Sequence, residues 1–271
     1  MFSKLVTLAF VAATSVQATF LPIIPHAHSP DSFQVLGGTP QGEMTKIAGV
    51  DTYVSLPQGG QKCETEAIVL LTDVFGLPLV NSKLLADEFA SKGYAVFAPD
   101  YLNGDPAPVD DPNFNLTEWL TRHGPEQTLP PTRAVLGALR EKGVKKIGVT
   151  GYCFGGLYTT LLSQANEVEV AVMSHPSLLT LPDDIETIVA NSTVPIEIHS
   201  ADLDTVLTPE LAEEVDNIFA QGYAPGYQRF AYEGVGHGFA VRPENASDPV
   251  QVQAKELAFQ RAVAWFADHG L

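Results

Sequence analysis

Residues 151–156 read Gly-Tyr-Cys-Phe-Gly-Gly, a cysteine held between glycines. An apolar run, Ile147-Gly148-Val149-Thr150, precedes it, and a helical segment from Leu157 to Ser163 follows. Strand, tight turn and helix with a reactive side chain at the apex make the pattern of a nucleophile elbow, here with the Cys153 thiol in place of a hydroxyl. The turn is so sharp that side chains at Gly151 and Gly155 would collide with the neighbouring strand and helix. The apex faces the positive end of a helix, where a thiol ionises more readily than a free cysteine. The hexapeptide also suits a small core cysteine in a nucleotide-binding sheet, so its meaning depends on what lies downstream.

A thiolate nucleophile wants a histidine to handle its proton and a carboxylate to orient that histidine. Both follow in order. A strand ending Ile196-Glu197-Ile198-His199 leads into Ser200-Ala201-Asp202-Leu203-Asp204. A later strand ends Phe230-Ala231-Tyr232, followed by Glu233-Gly234-Val235-Gly236-His237-Gly238-Phe239. Asp202 and Asp204 compete for the acid; the spacing to Pro209 favours Asp204. A thiolate, a carboxylate and an imidazole at successive strand ends predict acyl transfer. Cys153 would attack an ester or lactone carbonyl, and His237 would protonate the leaving alkoxide.

These groups need a frame. Strand patterns occur at 51–56, 67–72, 94–98, 146–151, 169–173, 195–199 and 228–232, with helical patterns between them. Asn81 is expected to cap a helix carrying Leu85 and Phe89, closed by Gly93. Val135, Leu136 and Leu139 line another helix, which ends near Gly143. Thr208-Pro209 and Asp248-Pro249 each pair a capping residue with proline at the first helical position. The alternation predicts an α/β fold, a mostly parallel sheet with helices on both faces, and a site at the carboxyl ends of the strands. Residues 101–128, rich in Pro, Asp and Asn, form a long loop over that edge with a short helix near Glu118–Leu120.

Cys63 and Cys153 are the two cysteines of the chain. Cys63 precedes a strand and Cys153 follows one, so they lie at opposite sheet edges. At about 3.3 Å per residue, five extended residues separate them by roughly 17 Å, whereas a disulfide needs Cα atoms within about 7 Å. Cys153 is expected to be free unless the loop carrying Cys63 folds back.

The chain opens with Lys4, an apolar stretch from Leu5 to Val16 and small residues before Ala18. Residues 1–18 are expected to be a secretory signal peptide, 19–48 an N-terminal arm, and 49–271 a single α/β domain. Without residues 1–18 the formal charge moves from −17 to 14 − 32 = −18, since Lys4 is their only charged residue. So acidic a surface repels nucleic acid and anionic lipid, and neither is expected as a partner. Extracellular location also fits three glycosylation triplets, at Asn115, Asn191 and Asn245. His26 and His28 lack further ligands and are expected to be a solvated tail; no metal or cofactor is expected.

Taken together, residues 151–156, Asp204 with Thr205-Val206-Leu207-Thr208-Pro209, and His237-Gly238-Phe239 resemble the dienelactone hydrolase family of α/β-hydrolases. Asp73-Val74-Phe75-Gly76 and Ala98-Pro99-Asp100-Tyr101 match as well. The likeness covers roughly residues 45–268 and is closest to fungal members. It implies a Cys153–His237–Asp204 triad and an oxyanion hole built from the N–H groups of Val74 and Phe154. The family has a glutamate that holds and frees the thiol where this chain has the shorter Asp73. Bacterial members grip a substrate carboxylate with arginines. Here Arg242 is the basic candidate near the motif, either for that carboxylate or for pairing with Glu244. His175 and Trp119 are candidates to line the pocket or to serve as packing. Two alternatives stand beside the ester and lactone hydrolase: a glycan-active or other carboxylic-ester hydrolase on the same fold, and a non-catalytic binding protein with Cys153 blocked.

Overall fold

The computed structural model describes residues 19–21, 37–57, 65–109, 111 and 113–271. The leader at 1–18, His26, His28 and Cys63 lie outside them. Nine strands form one sheet: β1 (Thr19–Leu21), β2 (Glu43–Ile47), β3 (Val50–Ser55), β4 (Glu66–Leu71), β5 (Val96–Pro99), β6 (Lys146–Tyr152), β7 (Val170–Ser174), β8 (Ile196–Ala201) and β9 (Tyr227–Tyr232). Their order is β1-β9-β8-β7-β6-β4-β5-β3-β2. All neighbours are parallel except β2–β3 and β3–β5. Helices are α1 (Val80–Ser91), α2 (Leu116–Leu120), α3 (Pro125–Glu141), α4 (Phe154–Gln164), α5 (Asp183–Asn191), α6 (Pro209–Phe219) and α7 (Pro249–Asp268).

The period-two pleat sorts the core into two layers. In β4, Ala67, Val69 and Leu71 pack toward α3, α4, α5 and α6, while Ile68 and Leu70 pack toward α1 and α7. Both faces are therefore covered, which is why the central strands read as continuous apolar runs. Register matters for function. Leu71 pairs with Gly151, Tyr152 with Ser174, and Ala201 with Tyr232, so the strands finish level and their following loops share one rim.

Three expectations change. The stretch 19–48 contributes β1 and β2 to the sheet instead of lying over it as an arm. β2 escapes notice because four of its five residues are exposed and carry no apolar alternation. The cap of α1 is Leu79, not Asn81; the buried Asn81 side chain donates to the Val241 carbonyl at 3.0 Å instead. Pro130 and Pro131 lie within α3, which begins at Pro125 inside the stretch read as loop. The caps at Thr208 and Asp248 are where the dipeptides put them, each accepting from the first turn. The loop after β5 does cover the rim: Ala107 N–H donates to the Val74 carbonyl at 2.8 Å.

Candidate active site

Cys153 stands between β6 and α4 with φ 52° and ψ −112°, a left-handed conformation that non-glycine residues adopt only under constraint. The constraint is visible in its flanks. A side chain at Gly155 would run into the carbonyls of Leu71 and Thr72, and one at Gly151 into Gly155 and Thr159. Helix α4 thus starts hard against β4. Phe154 is its first residue, so the Phe154 N–H has no partner within the helix. Val74 follows β4 on the same rim. Cys153 is in no disulfide and is buried, with 7% of its surface exposed.

The imidazole comes from the loop after β9. His237 Nδ1 lies 2.9 Å and 3.1 Å from the two oxygens of Asp204, in the loop after β8. The Asp204 carboxylate is buried and fixed by the Val206 N–H at 2.7 Å. Asp202 is turned away and accepts from the Gly234 N–H at 2.8 Å. Burial disfavours a charged imidazole, but the adjacent Cys153 sulfur and the Asp204 hydrogen bond raise His237 to about 9. Burial likewise pushes the Cys153 thiol up, yet His237 and Arg242 bring it below its ordinary value. The pair therefore favours thiolate and imidazolium.

Arg242 adopts a geometry beyond the two expected for it. Its Nε donates to Asp73 Oδ2 at 2.9 Å, and its Nη2 lies 4.0 Å from the Cys153 sulfur. The guanidinium also covers the Phe75 ring at 5.3 Å. Asp73 is wholly buried; its Oδ1 accepts from the Phe75 N–H at 3.0 Å. Burial raises the Asp73 pKa, and Arg242 opposes that rise.

His175 and Trp119 differ in kind. Trp119 is a packing residue: it stacks on His123 at 3.7 Å, meets Phe154 edge-on at 5.2 Å, and donates to the Asp105 carbonyl at 2.7 Å. It braces Phe154 from behind. His175 is wholly buried with φ 40°, and its ring meets that of His237 edge-on at 5.1 Å. Neither of its ring nitrogens has a hydrogen-bond partner. Burial, then the charges of His237 and Arg242, hold it well below the ordinary histidine value, so it is neutral. Ser177 is a site residue that the sequence pattern missed. Its position just past β7 was the available signal, but the turn that aims it inward carries no glycine.

The sequence profile of the dienelactone hydrolase family matches residues 50–270. Hydrolase pyvD of Aspergillus violaceofuscus is 40% identical over 231 residues, covering 84% of this chain and 91% of that protein. Dienlactone hydrolase 1 of Gibberella moniliformis is 30% identical over 241 residues, 84% and 88% of the two chains. Among solved structures, that of a dienelactone hydrolase from Klebsiella pneumoniae, so described with reserve, superposes with a TM-score of 0.70 at 21% identity, covering 83% of this chain and 98% of that one.

Proposed function

The chain belongs to the dienelactone hydrolase family and is a hydrolase of esters or lactones; from that premise we propose that it is a secreted enzyme working through a Cys153–His237–Asp204 triad. The observation that carries this is His237 bound to Asp204 at 2.9 Å while its proton affinity is raised by the Cys153 sulfur. The Cys153 thiolate attacks the carbonyl carbon and forms a C–S bond. The carbonyl electron pair moves onto oxygen, held by the N–H groups of Val74 and Phe154. On collapse the C–O bond breaks, and the His237 imidazolium gives its proton to the leaving alkoxide. Water then attacks the thioacyl carbon, His237 takes a proton from it, and the C–S bond breaks to release the acid. Asp204 keeps the imidazole in one orientation and stabilises its charged form. A thiolate suits activated esters and lactones; amides need stronger protonation of their leaving group.

Hydrolysis of p-nitrophenyl acetate tests this directly. Wild type should turn it over, with Cys153→Ala and His237→Ala each slower by about a thousandfold or more, the scale for loss of a triad member. Equal rates in all three proteins would end the reading.

A further inference from the structure

The Cys153 sulfur has a neighbour that no motif announces. Ser177 is buried, and its Oγ lies 3.7 Å from the sulfur, a hydrogen-bonding contact. Backbone geometry delivers it there. After β7 ends at Ser174, His175 takes its positive φ of 40° and turns the chain back toward the elbow. The His175 N–H is held by the His199 carbonyl at 2.7 Å. Pro176 packs on Gly156, where any side chain would run into it. Cys153 N–H then donates to the Ser174 carbonyl at 3.1 Å, and Ser177 N–H to the Cys153 carbonyl at 3.0 Å. This reciprocal pair fixes the Ser177 backbone relative to the nucleophile.

The groups facing the sulfur come from three further loops: His237 and Arg242 after β9, Asp73 after β4 and Tyr101 after β5; neutral His175, after β7, lies behind the His237 ring. Both Asp73 oxygens are already engaged, one by the Phe75 N–H and one by Arg242. A serine hydroxyl both donates and accepts, but toward a thiolate it can only donate. We propose that Ser177 is a further catalytic residue, whose hydroxyl donates a hydrogen bond to the Cys153 thiolate and so keeps the resting nucleophile ionised and aimed. This rests on Cys153 being the nucleophile. The bond is strongest before attack and weakens as the sulfur's charge passes to the carbonyl oxygen. Ser177 therefore stabilises the thiolate while moderating its reactivity.

That dual effect gives a signature that simple loss of packing does not produce. The rate of iodoacetamide alkylation is followed against pH for the whole protein, with Cys153→Ala supplying the background from Cys63. Ser177→Ala should move the midpoint up by about one pH unit, since hydrogen bonds to charged groups are worth about that much. The plateau above the midpoint should rise by about threefold, because thiolate nucleophilicity grows with basicity. Ser177→Gly removes the same hydroxyl and should behave alike, and Ser177→Thr should restore the wild-type midpoint. An unshifted midpoint in a folded Ala or Gly variant overturns the proposal, as does a Thr variant that titrates like Ala. Alkylation reads the sulfur and not ester turnover. Esterase activity surviving in Cys153→Ala would fell the functional reading, whereas an unshifted alkylation midpoint fells only the role of Ser177.

Discussion

His237 keeps its proton up to about 9, while Cys153 releases its own below the ordinary thiol value. Between those limits both charged partners coexist, and the proposed mechanism would use both: the sulfur's charge to attack, the imidazolium's proton to release the alkoxide. kcat/KM should therefore climb as the thiol ionises, level off, and fall again as pH passes about 9 and His237 becomes neutral. A pH–rate profile for an activated ester checks this, and a descending limb below neutrality would contradict the pairing. Cys153, Asp204 and His237 were legible in the sequence because their types, order and strand-end positions are all linear features. Which of Asp202 and Asp204 meets the imidazole was a matter of side-chain direction, and spacing alone could only favour one. The partnership of Arg242 with Asp73 was hidden for a different reason: 169 residues separate them, and they meet through sheet register.

At the scale of elements, the elbow depends on a near-contact of two backbones. Gly155 in α4 lies so close to the end of β4 that an added methyl would strike the carbonyls of Leu71 and Thr72. Leu71 ends a central strand and Thr72 follows it directly, so neither carbonyl has room to move aside. Gly155→Ala should cost about 3 kcal/mol or more, within the range of severe overpacking and backbone strain. Its melting temperature, compared with wild type, measures this; an unchanged value would mean that α4 can back away from β4. The parallel strands and the proline-capped helices were readable because burial on both faces and capping chemistry each leave a compact local mark. β2 left none, being an exposed edge strand defined by its hairpin with β3. α3 was partly concealed by Pro130 and Pro131, which the helix accommodates in its first half.

For the whole molecule, the proposed secretion makes demands on the described residues. No helix among them is long and apolar enough to cross a membrane. Asn115, Asn191 and Asn245 are all exposed, as sugar attachment requires. Expressed with its leader in a eukaryotic host, the protein should reach the medium, and peptide N-glycosidase should increase its gel mobility. Retention inside the cell would count against the leader, and unchanged mobility against the three acceptors. The excursion between β5 and α3 has a further consequence. Its inner part, through Asp105, Trp119 and His123, is bolted to Phe154, whereas Pro108, Val109 and Asn115 to Glu118 are exposed. The packed and the exposed parts of the segment are thus separable. Substitutions in the outer stretch should leave the packing behind Phe154 undisturbed, so this segment has room to vary in evolution while the elbow it backs stays fixed.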